Sequence, residues 1–166
     1  MTTGLLALGS AKDFFDEVAK PSYDEFMTTA SSFRTAFNAV TALFHLHEWV
    51  YEFNRSQIEA KYSKIWTTKG DFWKFVESQV PTAGFVRDLA NASKHVKLTL
   101  RPSTNAHHIA NTAFQVSSGY GTGGYGEGRY AGPSLKMKDG AGYVDVDDCV
   151  KDLYAFWEPL IAELYP

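Results

Sequence analysis

The segment SYDEFMTTASSFRTAFNAVTALFHLHEWVYEFN, residues 22–54, decides the fold. Apolar and aromatic side chains recur in it at spacings of three and four residues, and neither glycine nor proline interrupts them. Such spacing places side chains on one face of an α-helix. Ser22 and Glu25 match a capping box, which predicts the helix start, and about nine turns of helix are typical of a bundle. The recurring residues are Phe26, Ala30, Phe33, Phe37, Val40, Phe44, His47 and Tyr51.

Shorter helical patterns lie on both sides of this segment. Ser10 is predicted to cap a helix over residues 11–20, which Pro21 ends because proline lacks a backbone N–H group. Weaker helical patterns follow Arg55, and the last of them is DFWKFVESQ, residues 71–79. These patterns favour several helices packed together.

Residues 102–146 interrupt the helical pattern. HHIANTAFQV, residues 107–116, is typical of a strand, and SLKMKDGAGYVDV, residues 134–146, predicts a hairpin with Asp139 and Gly140 at its turn. A β-hairpin and glycine-rich insertion is therefore expected at this place in the chain.

A final helix is predicted over residues 147–164, kinked or shortened by Pro159. The whole pattern predicts a mainly α protein, an antiparallel helical bundle with a small β-hairpin and glycine-rich insertion before the C-terminal helix. We expect residues 1–166 to form one domain, since this length suits a single core.

Composition bounds the class of protein. Hydrophobic residues make up 45% of the chain, which favours a folded core over disorder. The net charge is −3, but basic residues outnumber acidic ones within 57–101, whereas acidic residues prevail in 1–56 and 139–166. This asymmetry suits either attraction of a polyanion to the middle of the chain or packing of the ends against the middle. No long apolar run predicts a membrane span, and a cytoplasmic location is expected.

The metal-binding and thiol patterns are weak. His45 and His47 lie two residues apart on a predicted helix and so face apart, which argues against a shared metal ion. We therefore predict no metal and no cofactor. Cys149 is the only cysteine, and its carboxylate neighbours would raise its pKa, so it is not a predicted nucleophile.

The segment GYGTGGYGEGRYAGP, residues 119–133, matches a G-x-G-x-x-G pattern. A dinucleotide site needs a helix that starts at those glycines, but further glycines and Pro133 follow instead. A mobile loop is the favoured interpretation, with stacking of its tyrosines on unpaired bases as the alternative.

The segment GFVRDLANASKHVKL, residues 84–98, carries the strongest functional pattern. Wound as a helix, it places Arg87, Asn91, Lys94 and His95 on one face. An arginine can bind phosphate through two parallel hydrogen bonds, and a histidine exchanges protons near neutral pH. The face is therefore either a phosphate site or an ordinary solvated surface.

The chemistry of a phosphate site here would be RNA cleavage without metal. The imidazole of His95 would take the proton of a ribose 2′-OH, and Arg87 would stabilise charge on the pentavalent phosphate. We assign Arg87 and His95 as candidate catalytic residues. The candidate substrate-binding residues are Asn91, Lys94, Lys97 and Arg101.

The motif RDLANASKH, residues 87–95, resembles that of the HEPN superfamily, helical-bundle proteins found among bacterial toxins and defence ribonucleases. The family motif is an arginine, usually followed by a polar residue, and a histidine after four to six intervening residues. Here Asp88 follows Arg87, and seven residues separate Arg87 from His95. Asn91 and His95 have the separation of the family's Arg-Asn-x-x-x-His form, but Ala90 occupies the arginine position.

This resemblance covers roughly residues 22–100 and 147–164. It implies a bundle, a homodimer in which two copies of the motif helix face one another, and RNA as substrate or ligand. The aromatic content independently suggests a homodimer, since the four tryptophans supply much apolar surface. A non-catalytic dimeric protein-interaction module is the alternative. The tryptophans are Trp49, Trp66, Trp73 and Trp157.

Overall fold

The computed structural model describes residues 8–29, 32–92, 112–115, 134–139 and 142–166. Most of them are helical, which confirms the prediction of a mainly α protein. The helices are α1 (Ala11–Phe14), α2 (Lys20–Thr28), α3 (Phe33–Tyr62), α4 (Lys69–Gln79), α5 (Ala83–Ala92) and α6 (Val146–Leu164), and the strands are β1 (Thr112–Gln115), β2 (Ser134–Asp139) and β3 (Gly142–Asp145).

The first helical stretch passes through Pro21 without a break. Ser10 caps α1 as predicted, because its side chain accepts a hydrogen bond from the Asp13 N–H. A single π-helical segment, Phe15–Ala19, then joins α1 to α2. The prediction that Pro21 ends this helix and that Ser22 starts another is wrong. We attribute the continuity to the wider π turn, which relieves the clash between the proline ring and the carbonyl four residues back.

The predicted continuous helix over residues 22–54 is divided into α2 and α3. Thr28 and Thr29 donate side-chain hydrogen bonds to the Glu25 carbonyl and so cover the end of α2. Ser32 then caps α3 by accepting a hydrogen bond from the Thr35 N–H. Hydroxyl side chains offer the backbone these local bonds in place of helix continuation, which is why the segment breaks here. Residues 22–54 thus belong to two helices where one was predicted, and the protein is still mainly α.

Helix α3 is the centre of the bundle. It runs to Tyr62, beyond the predicted end, with a non-helical kink at the buried Asn54. The α1–α2 stretch lies antiparallel to it, since Phe14 stacks on Trp49 and Arg34 pairs with Glu25. The buried residues that form the core include Phe26, Leu43, Leu46, Phe72, Leu89 and Trp157.

Helix α6 packs on α3, and the two helices run in the same direction. Trp157 Nε1 donates a hydrogen bond of 3.1 Å to the Leu43 carbonyl, and further along Glu163 pairs with Lys61. Helix α6 continues through Pro159 to Leu164, so its predicted end is confirmed and the alternative that Pro159 shortens it is wrong. No helix within the described ranges is both long and apolar enough to cross a membrane.

The strands form one antiparallel sheet in the order β1-β2-β3. Asp139 pairs with Gly142, so β2 and β3 form the hairpin predicted before the last helix. Leu135 and Met137 alternate along β2 and are both buried, and β2 packs on α6. The hairpin thus adds to the same core as the helices.

Candidate functional site

Helix α5, which carries the described part of the motif, is an internal helix. It packs mainly on α3 and α6, and its buried residues include the small Gly84 and Ala90 as well as Leu89. Thr82, just before the helix, donates a 2.9 Å hydrogen bond to Asp152 of α6. The helix therefore contacts solvent at a narrow edge that carries Arg87 and Asn91, and at Phe85 on the opposite side.

Arg87 lies at this edge between two carboxylates. Its Nε and Nη2 atoms donate hydrogen bonds of 3.1 and 3.0 Å to Asp88 Oδ1. Its Nη1 atom lies 2.9 Å from Glu77 Oε1 of helix α4. The Arg87 side chain is 19% exposed, so the guanidinium is held firmly but still reaches water.

The two carboxylates differ in how they hold Arg87. Asp88 is only 1% exposed and accepts two directed hydrogen bonds. Glu77 is 22% exposed, and among the described residues its Oε1 atom has no well-aligned hydrogen-bond donor. Glu77 is therefore held mainly by charge, whereas Asp88 fixes the plane of the guanidinium.

Sequence reasoning missed both Glu77 and the role of Asp88. Neighbouring residues on a helix do not face each other, so an Arg87–Asp88 contact is not expected from spacing alone. It forms because the long arginine side chain folds back to the buried carboxylate. Glu77 had a weak signal, since a short turn around Pro81 brings the end of α4 next to the start of α5.

The other predicted site residues divide into two groups. Asn91 lies one helical turn after Arg87 and is half-buried at the same edge. Lys94, His95, Lys97 and Arg101 lie outside the described residues, as do the predicted loop 119–133 and His107–His108. The structure thus brings Arg87 and Asn91 to one edge of α5.

A second feature is a groove between the α1–α2 stretch and α3. Its volume is about 760 Å³. Phe14 and Trp49 line it and stack on each other, and Trp49 also stacks on Phe53, which lies beside the lining and is 48% exposed. Polar atoms of Glu48 also line it, in a 2.7 Å ion pair with Lys69. We call this feature the aromatic groove.

The histidine pattern of α3 is structural. His47 is buried, with its Nδ1 atom against the Phe44 carbonyl and its ring packed on Phe44 and Trp73. Burial lowers the pKa of His47 to about 4, so the imidazole is neutral at pH 7. Among the described residues, no group of three or more His, Cys, Asp or Glu side chains is placed to hold a metal ion.

Cys149 lies in the first turns of α6 and is buried. Burial, followed by the charges of Asp152, Asp148 and Asp147, raises the pKa of this thiol to about 12. The thiolate that would act as a nucleophile is therefore scarce at neutral pH.

Comparison of this chain with protein-family models, with curated proteins and with solved structures gives no match. The resemblance to the HEPN superfamily accordingly depends on the RDLANASKH motif and stays a prediction.

Proposed function

We propose that this chain is a HEPN-like RNA-binding protein that acts as a metal-independent endoribonuclease, in a toxin or defence context. The observation that carries the proposal is the position of Arg87. Its guanidinium is fixed by Asp88 at the solvent edge of α5, one turn before Asn91. The sequence continues from that edge into the basic segment 94–101.

A fixed guanidinium suits phosphate recognition. Arginine has five N–H donors in a rigid plane, and Asp88 occupies the edge formed by Nε and Nη2. The edge formed by Nη1 and Nη2 faces Glu77 Oε1 at Nη1, and its N–H groups can bind two phosphate oxygens once Glu77 moves aside. Because Asp88 orients the guanidinium in advance, less side-chain entropy is lost when a phosphate binds.

The proposed chemistry assigns separate roles to Arg87 and His95. His95 takes the proton of a ribose 2′-OH, the resulting oxygen attacks the adjacent phosphorus, and the bond to the 5′-oxygen breaks as that oxygen gains a proton. Arg87 stabilises the negative charge that develops on the pentavalent phosphate. The products are a 2′,3′-cyclic phosphate end and a 5′-hydroxyl end.

Arg87→Lys and His95→Asn test these roles. We expect Arg87→Lys to weaken binding of a single-stranded RNA roughly tenfold, because lysine keeps the charge but loses the planar pair of hydrogen bonds. His95→Asn should retain binding and abolish cleavage, since the imidazole transfers protons. Binding is measured by fluorescence anisotropy at two salt concentrations, and cleavage is measured in chelator.

Arg34→Lys is the matched control, because Arg34 forms an exposed ion pair with Glu25 on the α2–α3 side of the bundle. It should bind RNA like the parent protein. Equal RNA affinities of the parent and Arg87→Lys would contradict the proposed site. Lysine is preferred to alanine at Arg87, because alanine would remove both Arg87 hydrogen bonds from the buried Asp88.

A dimeric interaction module is the second candidate, and the aromatic groove favours it. Trp66, Trp73 and Trp157 are buried in the core, so only Trp49 is available near the surface. Trp49 stacks between Phe14 and the exposed Phe53, and such a partly exposed aromatic row suits burial against a second copy.

Phe53→Lys tests a dimer formed through the aromatic groove. We expect the parent protein to have the mass of a dimer at micromolar concentration and Phe53→Lys to have the mass of a monomer, because a buried charge would be unpaired. Light scattering measures both. Ile65→Lys is the control, since Ile65 is 84% exposed and belongs neither to the groove lining nor to the stacked aromatic row. A parent protein of monomer mass would contradict this candidate.

A further inference from the structure

We propose that Glu77 is a built-in competitor of RNA phosphate at Arg87. This inference rests on the proposed function of Arg87. It goes beyond that function by assigning a regulatory contact: the Glu77 carboxylate occupies a donor that phosphate needs, so RNA binds only when Glu77 moves aside.

The first step of the argument is the division of the Arg87 donors. Asp88 Oδ1 accepts hydrogen bonds from Nε and from one N–H group of Nη2, at 3.1 and 3.0 Å. The remaining edge of the guanidinium is formed by Nη1 and Nη2, and Glu77 Oε1 lies 2.9 Å from Nη1. A carboxylate and a phosphate present similar paired oxygens to arginine, so both would use this edge.

The second step is that Glu77 is the carboxylate that can leave. Asp88 is almost completely buried and close in sequence, whereas Glu77 is 22% exposed near the end of α4. Glu77 Oε1 itself is buried, but among the described residues it lacks an aligned hydrogen-bond donor, which leaves charge as its main attachment. Moving Glu77 into water therefore breaks one ion pair and no directed hydrogen bond to that oxygen.

The third step is electrostatic. Two carboxylates contact one guanidinium, so the positive charge of Arg87 is already compensated before a phosphate approaches. A phosphate that approaches this cluster is repelled until Glu77 is displaced or neutralised. Removing only the Glu77 charge leaves Arg87 oriented by Asp88 and free to bind phosphate along one edge.

Glu77→Gln is the direct test, since glutamine has nearly the same shape and no charge. We expect Glu77→Gln to bind single-stranded RNA roughly five- to tenfold more tightly than the parent protein, because a nearby like charge is removed. In the double variant Glu77→Gln with Arg87→Lys, that gain should disappear. The readout is fluorescence anisotropy with labelled RNA at low salt, and circular dichroism checks folding.

Glu163→Gln is the matched control, because it removes the same charge from a carboxylate that pairs with Lys61 at the far end of α6. It should bind RNA within about twofold of the parent, which separates a local effect from a change in net charge. If Glu77→Gln does not fold, Glu77→Ser replaces it with the same expected direction.

The outcomes separate this inference from the proposed function. If Arg87→Lys weakens RNA binding while Glu77→Gln binds like Glu163→Gln, the competitor role is overturned and the RNA site stands. If neither the parent nor Glu77→Gln binds RNA, the proposed function fails, and the competitor role fails with it. Binding by Glu77→Gln alone would support both.

Discussion

Replacing Asp88 with alanine is expected to lower the free energy of unfolding by about 3 kcal/mol. Asp88 is buried and accepts two hydrogen bonds from Arg87, so the substitution leaves a half-buried guanidinium with Glu77 as its one carboxylate partner among the described residues. The value lies at the lower end of the range for breaking a buried ion pair, because Arg87 still reaches water. Urea unfolding followed by circular dichroism measures the change.

Two further variants test whether this loss of stability comes from breaking the buried ion pair. Asp152→Ala removes an exposed carboxylate that bonds Thr82, and we expect a loss of at most about 1 kcal/mol. The triple variant Glu77→Gln, Arg87→Met and Asp88→Leu should regain part of the stability, since it leaves no charge of this cluster without its partner. A loss below about 1 kcal/mol for Asp88→Ala would contradict its role in positioning Arg87.

The second large effect concerns the stability of the protein in mild acid. The pKa of His47 is about 4 in the folded protein and near 6.5 in the unfolded chain. Between these values the unfolded chain binds a proton that folded His47 does not, so the free energy of unfolding falls as pH falls from about 6.5 to about 4. At pH 5 the loss from this residue is about 2 kcal/mol relative to pH 7.

His47→Gln removes this titration and provides the test. The variant should be less stable than the parent at pH 7, because the contacts with Phe44 and Trp73 are lost. Between pH 7 and pH 5, however, the unfolding free energy of the variant should fall by about 2 kcal/mol less than that of the parent. His45→Gln keeps His47 and should keep the part of the pH dependence that belongs to His47. Equal pH dependence of the parent and His47→Gln would contradict this account.

The helical class, the hairpin and the last helix were predictable because each depends on local sequence. The Ser10 cap and the pairing of β2 with β3 follow from short-range patterns. The break between α2 and α3 was missed because the periodicity continued through residues 28–32, although the run of hydroxyl side chains was the available signal.

The buried face of α3 was predicted only in part, for a geometric reason. Val40 and His47 are buried as the pattern suggests, but Phe37 and Phe44 are only half-buried. A central helix with neighbours on several sides buries small residues too, such as Ala39, where another helix approaches. One stripe of large side chains does not describe such a helix.

The candidate site was predictable only as a set of residue types. The sequence identifies Arg87 and Asn91 as polar residues one turn apart on α5. It does not reveal that α5 is internal, nor that Glu77 and Asp88 flank the guanidinium, because both facts depend on how helices pack in three dimensions. Tertiary packing therefore determines which donors of Arg87 stay available.

The π-helical segment Phe15–Ala19 fixes the rotational phase of the first helical stretch. A π turn holds one residue more than an α turn, and one residue corresponds to about 100° of rotation around a helix axis. That extra residue sets the direction in which Tyr23 points, where its ring stacks on Tyr154 with centroids 3.9 Å apart. Loss of a single residue here would turn Tyr23 away from α6 while leaving Phe14 on Trp49. The segment thus sets the angle between two side-chain contacts of one continuous helix, that of Phe14 with α3 and that of Tyr23 with α6.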